Sequence, residues 1–253
     1  MQDPTPFSPF SPAGWRDALT RVAAAGFDGV ELAITDPDCL DHTAVVEALD
    51  AEGLRLLSIT TGQAAGLEGL SLSSADDAVR RRSVERIQAH MSFAEAFDAV
   101  VIVGSLRGAD GNLDVLEDSL RACASFNAAL LALEPLNRYE SRLLNTVSSA
   151  VEMIDRVGRD NLGILYDTFH ANIEETDASE AIAAAGDRLA HVHLADSNRW
   201  VPGHGHIRFS DVWAGLEDVG YARSVVLEPL LQPSAEALLH SGGEIRSGWR
   251  VQA

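Results

Sequence analysis

The feature that most constrains the fold is a repeated alternation of short apolar runs with longer helical patterns. Seven short apolar runs, several of them with β-branched residues, predict strands, and amphipathic segments, several ending in glycine, separate them. Strands that alternate with helices in this way are parallel and are joined by helical crossovers. The predicted strands are 29–34, 54–60, 99–104, 129–134, 162–167, 189–195 and 224–229.

Two α/β architectures fit this alternation: a (β/α)8 TIM barrel and a doubly wound open sheet. A length of 253 residues suits a barrel formed by one domain, and no linker or low-complexity segment divides residues 1–253. No G-x-G-x-x-G follows a strand, so the dinucleotide-binding open sheet loses its main support. Acids and a histidine at the ends of four successive strands favour the barrel, because its active site gathers there.

The count of predicted strands is seven, whereas a closed barrel needs eight. A strand should precede the first helix, but residues 1–12 contain Pro4, Pro6, Pro9 and Pro12. Proline cannot donate a hydrogen bond to a sheet. We therefore expect an irregular proline-rich segment here, with the first barrel strand missing or irregular.

Charge and composition exclude several classes of protein. The formal net charge of −19 repels phosphates and argues against a nucleic-acid partner. The chain has no lysine, which excludes Schiff-base chemistry and a phosphate-loop lysine. It also lacks an apolar run long enough for a membrane helix, a secretory signal at residues 1–15, and enough cysteines for a disulfide framework. These features predict a cytoplasmic protein with no membrane partner.

Metal-ligand residue types stand at or near the ends of the last four predicted strands. They are Glu134, Asp167, His193 and Glu228, and both glutamates lie in a repeated Leu-Glu-Pro-Leu sequence. Three carboxylates and one imidazole suit Mn²⁺, Co²⁺ or Mg²⁺ better than a metal that prefers thiolates. Because a buried unpaired carboxylate is costly, four such residues in consecutive units predict a metal site. Its two glutamates could flank a substrate held on the metal.

Other polar residues are weaker candidates. His191 shares a strand face with His193 but is interpreted as a core histidine, and Glu31 is assigned either an inward-facing or a structural role. Arg107 follows a strand and is hypothesised to clamp a substrate carboxylate, with a surface loop position as the alternative. Gln63 is a further candidate for substrate binding. Two residues on the loop after the sixth predicted strand either cover the site or pack as ordinary loop residues: Trp200 and His206.

Three longer motifs carry a family resemblance: EPLNRYE at 134–140, DTFHANIEE at 167–175 and HLADSNRWVPGHGHI at 193–207. Through them, residues 14–232 resemble the xylose-isomerase-like TIM barrels, in the sugar isomerase/epimerase group that includes the ketose 3-epimerases. The sequences VELAITDPD, TTGQAAGLEGLSL and VIVGSLRG resemble the 5-keto-L-gluconate epimerase type most.

The resemblance implies a metal-dependent epimerase of a small keto sugar or keto sugar acid. The predicted metal ligands match the family's ligands, and the same two glutamates would serve as acid and base. Removal of a proton beside the ketone and its return on the opposite face, through an enediolate, would invert the stereocentre. A homo-oligomer is compatible with the resemblance. The residues that would contact the sugar's oxygens are Glu140, His170 and Arg199.

Three alternatives stay open at this point. An aldose–ketose isomerase or an inosose dehydratase would share the metal and the enolisation step. An abasic-site endonuclease would need a surface for phosphodiesters and several zinc ions, which the charge and the single four-residue set disfavour. A non-catalytic sugar-binding protein would not need the complete ligand set.

Overall fold

The computed structural model describes residues 14–248 and contains seven strands in that part of the chain. Each observed strand lies within the range predicted for it, so the seven strand predictions are confirmed. The strands are β1 (Gly29–Ala33), β2 (Arg55–Thr60), β3 (Val100–Val103), β4 (Leu131–Leu133), β5 (Leu162–Asp167), β6 (Leu189–Leu194) and β7 (Val225–Leu227).

Helices follow the strands as crossovers. Three helices lie outside the amphipathic segments on which the sequence-based prediction rests: α3 (Gly62–Glu68), α7 (Thr168–Glu174) and α10 (Ala235–Gly248). Helices α3 and α7 have seven residues each, which is too short for a clear apolar period, and α10 follows the last strand. Within residues 14–248, no helix combines the length and the apolarity that crossing a membrane requires. The helices are α1 (Trp15–Ala24), α2 (His42–Glu52), α3 (Gly62–Glu68), α4 (Asp77–Glu95), α5 (Leu113–Ala124), α6 (Val147–Val157), α7 (Thr168–Glu174), α8 (Ala178–Ala185), α9 (Phe209–Asp218) and α10 (Ala235–Gly248).

The strands form one parallel sheet in the order β1 to β7, each pairing with the next along the chain. The sheet is curled into a barrel. Its curvature brings Glu31 Oε2 on β1 to 3.0 Å from His193 Nε2 on β6, although the two strands are five positions apart in the sheet order. This is the predicted TIM-barrel architecture. Strands β1 and β7 are the two edges of the described sheet, and the expectation of a missing or irregular first strand falls on residues 1–12, outside the described residues.

Alternation along the strands separates an inner from an outer core. On β3, Val101 and Val103 pack in the main cluster with the helices, whereas Val100 and Ile102 belong to a small second cluster. Ala132 on β4 and Leu165 on β5 belong to the same inner cluster. Side chains two residues apart share a face of a strand. The inner face therefore leads from Ala132 to Glu134 and from Leu165 to Asp167, both at the carboxyl ends of their strands.

Candidate metal centre and active site

Four side chains from four adjacent strands converge at the carboxyl end of the barrel. One donor atom from each lies within 4.8 Å of the others in the set Glu134, Asp167, His193 and Glu228. His193 is central, because its Nδ1 atom lies 3.6 Å from Glu228 Oε2, 3.8 Å from Asp167 Oδ2 and 3.9 Å from Glu134 Oε1. The four predicted metal ligands are thus brought together at one point.

Two buried atoms in this cluster lack a hydrogen-bond partner within the described part of the protein: Asp167 Oδ2 and His193 Nδ1. The other oxygen, Asp167 Oδ1, accepts the N–H groups of Phe169 and His170 and so caps α7. An orphaned carboxylate oxygen and an orphaned imidazole nitrogen would cost free energy unless a cation satisfied both. A set of three carboxylates and one imidazole fits a divalent cation such as Mn²⁺, Co²⁺ or Mg²⁺.

The surroundings of the cluster shift the pKa values of its two glutamates in opposite directions. Burial, and then the neighbouring Glu228 carboxylate, raise the pKa of Glu134 to about 8. Burial alone would raise the pKa of Glu228 as well, but the charges of His193 and Arg199 hold it below its ordinary value. For His193, burial is outweighed by Glu31 and Glu228, which raise its pKa well above the ordinary range. Two acids whose pKa values are pushed apart are suited to opposite roles in proton transfer.

The contribution of Glu134 to stability without metal is expected to fall as the pH rises from about 5 to about 8. The pKa of Glu134 goes from 4.5 to about 8 on folding, so its contribution is complete below 4.5 and is lost as the pH rises through 8. The raised pKa of His193 acts in the same sense, whereas the pKa values of His170 and His191, lowered by burial, act in the opposite sense, so the Glu134 contribution is isolated by comparison with Glu134→Gln. We expect a loss on the order of a few kcal/mol in the unfolding free energy, measured by urea unfolding in a chelator. Glu134→Gln should flatten this slope, and an unchanged slope would contradict the assignment.

The backbone beside Glu134 is glycine because the carboxylate needs the space. A Cβ atom on Gly104, the residue after β3, would lie 2.3 Å from Glu134 Oε2. Gly104 ends the predicted strand 99–104, but no local pattern indicated that it borders the site.

If Glu134 transfers a proton as predicted, Gly104→Ala is expected to reduce kcat/KM by about 10²-fold, because it would displace that carboxylate by roughly an ångström. Steady-state kinetics, with thermal unfolding as a check of the fold, would measure this. Gly66→Ala is the matched control, since a Cβ there meets nothing within 4 Å. Equal activity of the two variants would show that Glu134 does not need its observed position.

His170 is held in one tautomer by Asn137. The backbone N–H of Asn137 donates to His170 Nδ1 at 3.2 Å, and its side-chain Nδ2 lies 2.8 Å from the same atom. Nδ1 is therefore an acceptor, and the proton of neutral His170 sits on Nε2, which lies 3.8 Å from Glu134 Oε1. Burial lowers the pKa of His170 and favours this neutral form. Asn137 lies in the EPLNRYE motif, but sequence reasoning did not single it out.

Arg199 connects the two sides of the site. Its Nη1 donates to Glu140 Oε1 at 3.2 Å and its Nη2 to Glu228 Oε2 at 2.9 Å. The guanidinium also lies 4.9 Å above the ring of Phe169, a cation–π distance. Arg199 thus places a positive charge between two of the carboxylates.

Comparison with known proteins supplies the family. A sequence profile described as the xylose isomerase-like TIM barrel matches residues 19–242. The chain belongs to the xylose isomerase-like TIM-barrel family. The predicted resemblance to this family is confirmed.

Relatives of this family member are carbohydrate epimerases. It is 30% identical to the D-psicose 3-epimerase of Enterocloster bolteae over 254 residues, covering 94% of this chain and 82% of that protein. It is 33% identical to the L-ribulose 3-epimerase of Mesorhizobium japonicum over 226 residues, covering 83% and 73%. Among solved structures, D-psicose 3-epimerase with D-tagatose from Clostridium cellulolyticum H10 aligns with a TM-score of 0.77 at 28% identity, covering 93% and 84%.

Most of the predicted sugar-binding residues border a common cavity of about 1640 Å³. That volume accommodates a monosaccharide with room to spare. Asp167 and His193 are buried next to it. The predicted site residues that line the cavity are Gln63, Glu134, Glu140, His170, Arg199 and Glu228.

Arg107 differs from its neighbours. Its guanidinium is fully buried, donates to the carbonyl of Leu143 at 2.8 Å, and lies outside the lining of the cavity. The alternative of a surface loop arginine is therefore wrong, because the loop after β4 covers the side chain. Burial lowers the pKa of Arg107 to about 10, against the opposing carboxylates of Glu134 and Glu140. Direct contact with a substrate carboxylate stays a prediction.

The remaining candidates separate into an inner and an outer group. Glu31 points into the barrel, and its Oε2 lies 3.4 Å from His191 Nε2. The side chain of His191 is buried, and that of Glu31 is nearly so. Trp200 and His206 lie outside the cavity lining; His206 Nδ1 is 2.9 Å from the hydroxyl of Ser197. Trp200 is exposed, and for both residues the choice between covering the site and ordinary loop packing stays a prediction.

Proposed function

We propose that the protein is a divalent-metal-dependent epimerase of a keto sugar or keto sugar acid, with Glu134 and Glu228 as its two proton-transfer groups. The observation that carries this proposal is the convergence of both glutamates with Asp167 and His193 at the end of the barrel. The names of the relatives, which are psicose and ribulose 3-epimerases, support the reaction class. The sequence-based expectation of a cytoplasmic location remains a prediction.

The mechanism follows from the residues of the site. One glutamate accepts the proton from the carbon beside the ketone, which leaves an enediolate. The other glutamate donates its proton to the opposite face, and the stereocentre is inverted. The direction of reaction decides which glutamate begins. When bound, a divalent cation held by Glu134, Asp167, His193 and Glu228 supplies the Lewis acidity that makes this carbon acidic.

Three side chains orient the sugar in this mechanism. The Nε2–H of His170 and the guanidinium of Arg199 can donate to sugar oxygens, whereas Glu140 can accept from a hydroxyl. All three line the cavity beside the reacting glutamates. Before substrate binds, a hydrogen bond from Asn137 holds His170 in place and one from Arg199 holds Glu140 in place. This preorganisation limits the entropy lost at the transition state.

The test is exchange of solvent deuterium into candidate substrates. The metal-loaded protein is incubated in D₂O with D-psicose, D-fructose, D-tagatose, D-tagaturonate and 5-keto-L-gluconate, and the products are analysed by NMR after removal of the metal. Deuterium at an inverted carbon beside the ketone is the expected result. An aldose product would favour an isomerase, loss of water a dehydratase, and absence of exchange with every substrate despite bound metal would contradict the proposal.

The same candidate substrates also test whether the protein acts on keto sugar acids or on neutral keto sugars. If Arg107 clamps a substrate carboxylate, Arg107→Ala should reduce activity on the keto acids more than on the neutral ketoses. Equal losses on both classes would show that this buried arginine acts through the loop it supports.

A further inference from the structure

Glu31 lies outside the four-residue cluster but touches its histidine. Its Oε2 atom lies 3.0 Å from His193 Nε2, and Ser58 on β2 donates its hydroxyl to the same oxygen at 2.5 Å. His191 Nε2 is 3.4 Å away. Inside the barrel, Glu31 Oε2 on β1 therefore accepts a hydrogen bond from Ser58 on β2 and faces the Nε2 atoms of two histidines on β6.

The two ring nitrogens of His193 face different partners. Nε2 faces Glu31, whereas Nδ1 faces the carboxylates of Glu134, Asp167 and Glu228 and has no hydrogen-bond partner among the described residues. Ionised Glu31 can only accept, so Nε2 must carry a proton. In neutral His193 the lone pair is then on Nδ1, which points at the centre of the cluster. A metal-bound histidine needs this tautomer, and its orientation and basicity depend on the acceptor behind it.

We infer that Glu31 is a positioning residue for the metal centre: through its hydrogen bond to Nε2, it orients His193 and keeps Nδ1 available to the metal. This inference rests on the proposed metal site. A residue of β1 would thus support a metal site whose ligands lie on or directly after β4 to β7.

Two other roles are possible for Glu31 on chemical grounds. Together with His191 and His193 it offers three donor atoms within 4.8 Å, which could hold a second cation. That arrangement would make His193 bridge two ions and would require removal of both ring protons. Glu31 also lines the cavity, so it could contact substrate. The hydrogen bonds already made by its oxygen favour the positioning role.

The experiment measures Mn²⁺ affinity and stoichiometry in the absence of substrate. Titration of the metal-free protein, followed by electron paramagnetic resonance of free Mn²⁺, should give one ion per chain in the wild type. We expect Glu31→Ala to weaken binding about 10- to 100-fold. Glu31→Gln keeps an oxygen acceptor for Nε2–H and should restore most of the affinity. Ser58→Ala is the matched control, because it removes a hydrogen bond to Glu31 but leaves the contact with His193.

Activity at saturating Mn²⁺ separates the remaining roles. A positioning residue predicts that Glu31→Ala regains most of its kcat when the metal is saturating, with little change in KM. A raised KM at saturating metal would overturn the inference in favour of substrate contact, and two ions per wild-type chain would overturn it in favour of a second site. Unchanged affinity in Glu31→Ala would refute the inference and leave the proposed function intact. A wild type that binds no metal would refute both. Should Glu31→Ala not fold, Glu31→Gln and Glu31→Asp allow the same comparison.

Discussion

Substituting glutamine for Glu134 or Glu228 is expected to lower the epimerisation rate by about 10²- to 10⁴-fold, the usual contribution of a positioned acid or base. Each substitution removes one proton-transfer group but keeps an oxygen that can bind a cation. The two variants should also differ from each other. If one glutamate serves each face, each variant should still exchange deuterium into one of the two epimers, without inversion, and should fail with the other.

Rates measured at saturating metal, together with exchange started from each pure epimer, would test this. Glu140→Gln is the control within the same cavity; it should raise KM more than it lowers kcat, because Glu140 is proposed to bind a hydroxyl. If Glu134→Gln and Glu228→Gln both retained inversion at the normal rate, the two-glutamate mechanism would be wrong.

Metal binding is expected to raise the thermal stability of the protein substantially, and Asp167→Asn to abolish that effect. A ligand at about 100 times its Kd stabilises the folded state by roughly 2.7 kcal/mol. For a chain of this size that corresponds to an increase in Tm of about 5–10 °C. The cause is that a cation would offset the charges of the buried Glu134 and Asp167 and of the half-buried Glu228, and would satisfy the orphaned Asp167 Oδ2.

Differential scanning fluorimetry with Mn²⁺ and then with excess chelator would measure the shift and its reversal. Asp160→Asn is the matched control, because it removes the same charge from an exposed turn. A wild-type Tm that does not respond to Mn²⁺, Co²⁺ or Mg²⁺ would contradict the metal site and favour a protein that binds sugars without catalysis.

The sequence alone predicts the strands well and the contacts between distant strands poorly. Runs such as 99–104 and 162–167 reveal their strands because they are short and largely apolar, and 99–104 is also rich in β-branched residues. The same regularity puts Glu134 and Asp167 at the carboxyl ends. Helix α7 was missed because its start is determined by one cap, Asp167 Oδ1, and not by a repeated apolar pattern.

The contacts that the sequence did not predict join residues that lie far apart along the chain. Glu31 and His193 are 162 residues apart, and only the curvature of the sheet brings them together. The burial of Arg107 depends on the path of the loop after β4, which no local pattern encodes. Gly104 and Asn137 are ordinary residues in the sequence until the positions of Glu134 and His170 are known.

The two roles of Asp167, as a helix cap and as a proposed metal ligand, limit how the proposed site could be re-engineered for another ion. One oxygen begins the helix that carries His170, and the other faces the metal cluster. A histidine or cysteine at this position, as zinc would favour, would remove the helix cap along with the ligand, at a cost of about 0.5–2 kcal/mol. The same change would shift a residue proposed to hold the sugar. Under the proposed function, a substitution of Asp167 that changes the preferred ion would therefore also be expected to change how the sugar is bound.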